Sequence, residues 1–416
     1  MINPALANSL ESIIGRDHVT PEPSLTIDGL RPSILIKPGS TEEVLECLSH
    51  CSESDAAVIP AGLMTWLESG NPLRCADVVL SLERMARIID YSPPDLTAIV
   101  EAGLTIGEFN AATKAENQWL PLDPPGSPSA SLGAIAACAS SGPLRLGFGT
   151  PRDYVIGLRL AHVNGTESKS GGRVVKNVAG YDMNKLYVGS HGTLAVITEL
   201  TIKLRPVPES DRTVFVTSAN QESLREVGSK LLASEAQPAS LFFTSGIKHS
   251  GLLVRFLDND EAVEHQAALL ARFVQPHGEA IMLGDDEASQ VWSSIADCER
   301  LSENSLRLSV HLSSTSFFLD HLLRANGGVV VADLGTGIIR YGFAADDDQA
   351  IDITRRLRAE AFARGGSLFV ERASAAVRRE ADAWGDVGPT SALMKSIKER
   401  FDPKSLLNPG RFVSGI

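Results

Sequence analysis

The sequence is poor in the features that mark several protein classes. Its five cysteines, Cys47, Cys51, Cys75, Cys138 and Cys298, are too few and too scattered for a disulfide scaffold. Lys and Arg number 38 against 51 Asp and Glu, so the formal charge of −13 argues against a nucleic-acid-binding surface. No stretch approaches the roughly 20 apolar residues that span a bilayer, and the N-terminus lacks a signal-peptide pattern. We therefore expect a cytoplasmic protein that reaches the inner membrane only through partners.

Length and element order predict more than one domain. The chain has 416 residues, of which 43% are hydrophobic and 21% charged, as in globular proteins. Residues 1–208 mix strands and helices, among them a helix that follows "PSILIKPGS", with Ser40 or Thr41 as its cap and Glu43 as the reciprocal acid. From Thr213 the order becomes βαββα, and it returns from residue 305. We predict an α+β fold: a first domain at 1–208, a duplicated ferredoxin-like domain at 209–385, and a helix and tail at 386–416 that return to the first domain.

Glycine-containing segments at 60–65, 126–142, 147–153 and 189–197 indicate a binding site built from several loops. The stretch 171–206 has no P-loop register, and "GFGTPR" at 147–152 departs from the dinucleotide fingerprint because Arg152 replaces its final glycine. Backbone N–H groups of converging loops can hold a pyrophosphate without a basic cluster. One extended ligand is therefore expected.

Three stretches carry a resemblance to a known family: "SGPLRLGFGTPRDYVIGLRLAHVNG", "SGGRVVKNVAGYDMNKLYVGSHGTLAVITELTIKL" and "FDPKSLLNPGRFVSGI". They resemble the FAD-binding flavoproteins of the vanillyl-alcohol oxidase, or PCMH, type, and among these the E-type subunits of bacterial glycolate oxidases. The resemblance implies a PCMH-type FAD-binding domain of two α/β subdomains, a cap domain, and an oxidoreductase acting on CH–OH donors. It also implies non-covalent FAD, because residues 58–70 hold no His or Cys that could tether the ring.

The resemblance also implies a set of cofactor contacts, in the pyrophosphate loop, the segment flanking the flavin, the loop after it, the Gly-bounded strand and the tail. These residues are Pro60, Ala61, Gly62, Leu63, Met64, Thr65, Pro125, Ser131, Leu132, Gly133, Ala136, Ser140, Ser141, Gly142, Gly149, Asp153, Gly192, Val196, Ile197 and Asn408. Leu63 and Met64 stand where the family usually has small residues. Side chains at positions that need positive φ or close ligand approach predict weakened FAD binding.

No metal site and no catalytic residue is predicted. Catalytic members of the family carry GEHG-type and GDGNxH-type segments, whereas the nine histidines here form no H-x-H, H-x-x-H or H-E-x-x-H pair. Cys47 and Cys51 lie four residues apart on a predicted helix, but no second pair of ligands follows, which favours two buried small side chains. His191, in "GSHGT", is either a base or a structural residue of its loop.

Other polar residues have two interpretations each. Lys176, Asn177, Tyr181 and Asp182 either bind an anionic substrate or partner subunit, or form a polar turn that satisfies itself. Arg152 and Asp153 are interpreted as a local pair. Glu371 and Arg372 stand where a substrate domain would face the flavin, yet without accompanying histidines they are interpreted as a solvated strand end.

The leading hypothesis is the FAD-binding subunit of a multisubunit complex that oxidises glycolate to glyoxylate. Its implied partners are a catalytic D-type flavoprotein, where the chemistry would mainly reside, and an iron–sulfur F-type subunit. Two alternatives stay open: a free-standing FAD-linked 2-hydroxy-acid (D-lactate) dehydrogenase, and a flavin-free structural subunit.

Overall fold

The computed structural model describes residues 4–172, 181–324 and 327–416, and the chain up to residue 206 forms a first lobe. Its strands are β1 Val19–Pro21, β2 Ile34–Ile36, β3 Val58–Ala61, β4 Val78–Ser81, β5 Ile88–Ser92, β6 Thr97–Glu101, β7 Gln118–Trp119, β8 Val155–Ala161, β9 Glu167–Gly171, β10 Val196–Lys203 and β11 Arg205–Pro206. Its helices are α1 Pro4–Ile14, α2 Thr41–Glu53, α3 Ile106–Thr113, α4 Leu132–Cys138, α5 Arg145–Phe148, α6 Pro151–Tyr154 and α7 Asn184–Tyr187.

The first lobe contains two main sheets. In the sheet of order β1-β2-β4-β3, strands β2, β4 and β3 are parallel, with α2 as the crossover from β2 to β3. The other, of order β5-β6-β10-β8-β9, is antiparallel. The predicted helix cap is confirmed: Ser40 Oγ accepts from Glu43 N, and Glu43 Oε2 accepts from Gly39 N at 2.6 Å. Cys47 and Cys51 are buried on α2.

The second lobe confirms the predicted duplication. Its strands are β12 Ser210–Thr217, β13 Ser240–Ser245, β14 Gly251–Asp258, β15 Glu279–Met282, β16 Asn304–Ser309, β17 Val329–Asp333, β18 Ile338–Phe343 and β19 Ser367–Arg372. Its helices are α8 Gln221–Leu232, α9 Asp260–Val274, α10 Asp285–Ala296, α11 Thr315–Arg324, α12 Asp347–Ala363 and α13 Ala375–Glu380. The eight strands form one sheet in the order β15-β12-β14-β13-β17-β18-β16-β19. Its first four strands have the ferredoxin-like order, and its last four have the same order reversed. The two halves join where β13 pairs with β17. The domain boundaries at 208 and 385 stay predictions.

The two faces of this sheet are covered differently. Helices α8, α9, α11 and α12 contribute Val227, Leu270, Leu319 and Leu357 to the hydrophobic core on one face. On the opposite face, α10 covers only the first half, where Trp292 packs with residues of β13, β14 and β17. The face formed by β16, β18 and β19 therefore stays uncovered by the second lobe's own helices and lies against the first lobe.

The C-terminal segment returns to the first lobe. It consists of α14 Thr390–Phe401 and an irregular tail that lies beside β3, where Val58 N donates to Leu406 O and Asn408 N donates to Val58 O. The buried Lys398 Nζ on α14 donates to Asp402 (2.6 Å), to Leu407 O and to Thr193 O. One ammonium group thus fastens the helix, the tail and the loop before β10. Within the described residues, no helix combines the length and the apolar character that a membrane span requires.

A buried charge cluster joins the two lobes and the tail. Asp28 accepts from Arg378 of α13 at 2.7 Å and from Arg411 of the tail at 2.8 Å, and the three side chains are at most 3% exposed. The two guanidinium groups also donate to the carbonyl oxygens of Leu67, Glu68, Gly70 and Asn71. The segment after β3 is therefore held from both sides by arginines.

Removing the central carboxylate should be costly, because it leaves two buried guanidinium groups without their counter-ion. We expect Asp28→Asn to lower the free energy of unfolding by about 3–5 kcal/mol. Glu380→Gln is the matched control, since it breaks the exposed Arg355–Glu380 pair and should cost under about 1 kcal/mol. Urea denaturation of both variants measures this; equal losses would contradict the importance of the cluster.

Candidate flavin site and the adjoining anion cavity

A cleft runs through the first lobe between the loop after β3 and helix α4. Its walls are small or apolar: Ala134 and Ala137 of α4 face Leu82 after β4, and Val196 and Ile197 of β10 close one side. The tail contributes Asn408 and Arg411. A cleft with this lining suits a planar, largely apolar group that makes few charged contacts.

The loop at residues 60–66 offers an uncommitted row of backbone donors. Within the described residues, the amide groups of residues 62–66 donate to no acceptor. Gly62 packs directly on the cap of α4, since a Cβ placed there would lie 2.0 Å from Ser131 Oγ and 2.9 Å from Ser131 Cβ. Met64 has a φ of 59°, so a side chain does occupy a left-handed position in this loop. Free amides on a turn are typical of an anion cradle.

The tail places a second unsatisfied group in the cleft. Asn408 Nδ2 donates to His191 O at 2.7 Å, whereas the buried Asn408 Oδ1 has no hydrogen-bond partner within the described residues. A buried amide oxygen without a donor is unfavourable unless a ligand supplies one. This oxygen therefore indicates that the cleft holds a ligand with an N–H or O–H group.

The structure brings together about half of the sequence-predicted cofactor residues. The residues that line the cleft are Pro60, Ala61, Gly62, Leu63, Met64, Thr65, Gly133, Gly192, Val196, Ile197 and Asn408. Pro125 and Ser140 line an adjoining cavity instead. Those outside both are Ser131, Leu132, Ala136, Ser141, Gly142, Gly149 and Asp153. Several of these have structural roles: Ser131 caps α4, and Asp153 Oδ2 accepts from Thr150 N and Oγ1.

Residues missed by the sequence reasoning also line the cleft. They include Leu67, Ser69, Leu82, Ala102, Cys138, Ala195 and Arg411. Most are small or apolar residues, which fill the core of any protein, so the sequence does not mark them as cofactor contacts. Only the "NPGRF" motif around Arg411 could have drawn attention to one of them.

His191 lies where the cleft meets the adjoining cavity. Its ring is 4.8 Å from the ring of Trp384, edge-on, and stacks at 5.6 Å on Phe412. Burial, followed by the charges of Arg411 and Arg307, lowers the pKa of His191 to about 3. The imidazole is therefore neutral at physiological pH and is a weak proton acceptor.

The adjoining cavity, of about 770 Å³, lies between the uncovered sheet face and the first lobe. In β16 and β18, Arg307 and Arg340 are directly opposite each other. A bulge in β19 opposite Ser305 and Leu306 places Glu371 toward them, so that its carboxylate pairs with Arg340 at 2.9 Å and with Arg307 at 3.6 Å. Only 5% of the Glu371 side chain is exposed, so the interpretation of Glu371 as a solvated strand end is wrong; Arg372 is the exposed neighbour.

Positive charge exceeds the negative charge paired with it in this cavity. Arg145 of α5 joins Arg307 and Arg340, and donates to Ser141 Oγ at 3.2 Å. Burial lowers the pKa of Arg307, and the charges of Arg340 and Arg145 lower it further although Glu371 opposes them. The three guanidinium groups therefore repel one another across the cavity, and a small anion would relieve that repulsion.

The remaining polar candidates lie elsewhere. Lys176 and Asn177 fall outside the described residues. Tyr181 is 95% exposed, and Asp182 pairs with Lys185 at 3.5 Å. Arg152 donates to Lys185 O, not to Asp153. Among the described residues, no group of three His, Cys, Asp or Glu side chains is arranged to hold a metal ion.

Comparison with known proteins agrees with this geometry. The profile of a family described as FAD binding domain matches residues 32–171. Glycolate oxidase subunit GlcD of Bacillus subtilis is 27% identical over 91% of this chain and 88% of its own length. Glycolate oxidase subunit GlcE of Escherichia coli is 28% identical over 78% of this chain and 84% of its own length. Residues 32–171 thus match an FAD-binding domain, and the chain is similar over most of its length to these two glycolate oxidase subunits.

A solved structure shows the same fold over nearly the whole chain. Alkyldihydroxyacetonephosphate synthase superposes with a TM-score of 0.75 over 99% of this chain and 86% of the synthase, at 15% identity. The predicted α+β architecture, with a PCMH-type domain and a cap, is thereby confirmed.

FAD is the cofactor of this oxidoreductase, and the cleft fits it. The free amides of residues 62–66 suit the diphosphate, and the apolar walls at Leu82, Val196 and Ile197 suit the ring system. The orphaned Asn408 Oδ1 can accept from a ring or ribose group. When bound, FAD would supply a two-electron acceptor in this cleft.

A methyl group on Gly62 should push the loop away from α4 and misplace its amides. We expect Gly62→Ala to raise the dissociation constant for FAD about tenfold or more, equivalent to ~1.4 kcal/mol. Gly284→Ala is the control, because nothing lies within 4 Å of the position a Cβ would take there. Quenching of flavin fluorescence measures the affinity; an unchanged value for Gly62→Ala would contradict this role of the loop.

The buried neutral His191 should make the protein acid-sensitive. Its folded pKa is below its unfolded value near 6.5, so as pH falls from 6.5 toward 3 the unfolded state gains a proton that the native state lacks. We expect this group to remove up to ~1.4 kcal/mol of stability per pH unit across that window. His191→Gln should lack this slope, whereas the exposed-site variant His265→Gln should keep it; denaturation at several pH values distinguishes them.

Proposed function

We propose that the chain oxidises a small 2-hydroxy acid and uses FAD as the electron acceptor. The proposed substrate is glycolate, and the chain acts as a subunit of a multisubunit glycolate oxidase complex. One observation carries this proposal: the arginine-lined cavity adjoins the flavin cleft. The cleft and the cavity share Trp66, Cys138 and His191 in their walls. An anion bound by the arginines would therefore lie next to the flavin.

The charge arrangement suits a carboxylate substrate. Among the described residues, the Arg307 side chain has no hydrogen bond or ion pair shorter than its 3.6 Å pair with Glu371. It also stacks over the Phe369 ring at 5.0 Å, so most of its donors are available to a ligand. Arg145 likewise uses one donor on Ser141. A guanidinium group binds a carboxylate through two parallel hydrogen bonds, which fixes the orientation of the neighbouring carbon. Such a site would hold the C–H bond of a 2-hydroxy acid toward the cofactor.

The relatives support the substrate class and the assembly. Proteins named glycolate oxidase subunits, GlcD and GlcE, match most of this chain, and glycolate is the simplest 2-hydroxy acid. The hypothesis that the chemistry resides mainly on a D-type partner rested on the missing histidine motifs. The arginine cavity favours a substrate site in this chain itself, with an iron–sulfur F-type subunit receiving the electrons and a D-type flavoprotein as a further partner.

The proposal is tested on the chain purified together with its partner subunits. We expect glycolate to bleach the FAD of this chain under anaerobic conditions. Arg307→Gln should raise KM by about ten- to a hundredfold, because a hydrogen bond to a charged group contributes roughly 1.5–3 kcal/mol. Arg356→Gln, an exposed change on the helical side of the second lobe, is the control.

Three outcomes would contradict the proposal. Equal turnover by the chain alone would indicate a free-standing dehydrogenase. A purified chain without flavin absorbance after reconstitution would indicate a structural subunit. A flavin that no 2-hydroxy acid reduces would place the chemistry on the D-type partner.

A further inference from the structure

We propose that Glu299 is a catalytic residue that accepts the hydroxyl proton of the substrate in the arginine-lined cavity. The inference rests on the proposed function and adds the proton acceptor that the missing histidine motifs leave unassigned. It stands on the placement of one carboxylate, on the neighbours of two other acids near the arginines, and on the charges that surround it.

The backbone of Glu299 is held firmly between the two lobes. It lies in a short 3-10 turn, Cys298–Arg300, in the connection between the two ferredoxin-like halves. The side chain of Cys298 is buried with Trp292 and Ile295 of α10. Just before the turn, Asp297 Oδ1 accepts from Gly126 N of the first lobe at 2.6 Å. The turn is therefore fixed to the sheet on one side and to the flavin-binding lobe on the other.

The Glu299 carboxylate is uncommitted, whereas two other buried acids near the arginines are occupied. Within the described residues, its oxygens have no hydrogen-bond or ion-pair partner, although the side chain lines the cavity. Glu371 is engaged by Arg340 and Arg307. Asp333 accepts from Gly335 N and from Thr336 N and Oγ1. Glu299 thus has a free oxygen available to a ligand.

The groups around Glu299 keep it able to exchange a proton near neutral pH. Burial raises its pKa most, and the charge of Glu371 on β19 raises it further, with a smaller contribution from Asp297. Arg340 on β18 and Arg300 on the turn itself oppose these effects. The pKa of Glu299 is thereby raised to about 7, which suits a general base.

Glu299 lines the cavity that adjoins the flavin cleft. Its charge is among those that act on Cys138, which lines both the cleft and the cavity. His191, the other titratable group shared by the cleft and the cavity, is a poorer acceptor because its pKa is about 3. A substrate held by Arg307 and Arg145 would share this cavity with Glu299.

The proposed reaction removes a proton and a hydride from the 2-hydroxy acid. The O–H bond of the 2-hydroxy acid breaks and its proton goes to the Glu299 carboxylate. The C–H bond breaks and the hydrogen leaves with its electron pair to FAD, which is the oxidant of the proposed function. The carbon–oxygen bond becomes a carbonyl, giving the 2-oxo acid, and Glu299 later returns its proton to solvent.

The first test is the rate of anaerobic flavin reduction by glycolate in Glu299→Gln, with Glu380→Gln, an exposed carboxylate outside the cavity, as the control. We expect the wild-type rate to rise with pH through about 7, as Glu299 ionises. In Glu299→Gln the rate should fall about a hundredfold or more and lose that dependence. Glu380→Gln should behave as wild type. A Glu299→Gln rate within a few-fold of wild type would overturn the inference.

The second test does not depend on turnover. Oxalate, a product-like dianion, should raise the pKa of the neighbouring Glu299 when it binds to the FAD-loaded protein. Calorimetry at pH 7 in buffers of different ionisation enthalpy should then show uptake of up to about half a proton per site. Glu299→Gln should bind oxalate without that uptake. Equal uptake by the two proteins would overturn the inference.

The two proposals fail differently. If no 2-hydroxy acid reduces the flavin of the wild-type complex, the proposed function fails, while proton uptake on oxalate binding still reports whether Glu299 faces the anion. If the wild type is reduced and the variant equals it, only the inference fails. FAD content and thermal unfolding of each variant exclude loss of folding as the cause.

Discussion

The contact of Asp28 with Arg378 and Arg411 is the interaction on which the flavin cleft and the arginine-lined cavity both depend. One carboxylate, from the first lobe, neutralises a guanidinium from the second lobe and another from the tail. The same guanidinium groups bind the carbonyl oxygens of residues 67–71, directly after the loop that offers its amides to the cofactor. The position of this loop, the docking of the second lobe and the return of the tail are therefore stabilised together.

The anion cavity exists because the duplicated domain is covered asymmetrically. Helix α10 packs on the inner sheet face of the first half, and the equivalent face of the second half meets the flavin-binding lobe. A β-bulge places Glu371 toward Arg307 and Arg340, and this lone carboxylate leaves the arginine group with excess positive charge. The connection between the halves then contributes Glu299 at the edge of the same space.

Two ionisable groups of the site, His191 and Glu299, have different pKa values because their surroundings differ. His191 is buried against Trp384 and Phe412 and near positive charge, which keeps it neutral and suited to shape the junction of cleft and cavity. Glu299 is buried near both signs of charge, which keeps it able to gain and lose a proton near neutrality. An oxidation that removes a proton and a hydride from adjacent atoms requires this kind of separation, with a carboxylate on one side and FAD on the other.

The sequence by itself determined the features that depend on local patterns: the capped helix after Ser40, the repeated βαββα order, the glycine loop at Gly62 and the motifs that indicate FAD. It did not reveal Arg307, Arg340 or Glu299, because an arginine in a strand and a glutamate in a connection look like ordinary surface residues until their neighbours are known. It also misjudged Glu371, since a residue at a strand end is exposed by default. Only the tertiary structure decided the roles of these four residues. The reason is that charges distant in the chain come together when β16 pairs with β18 and β19 and the second lobe docks against the first.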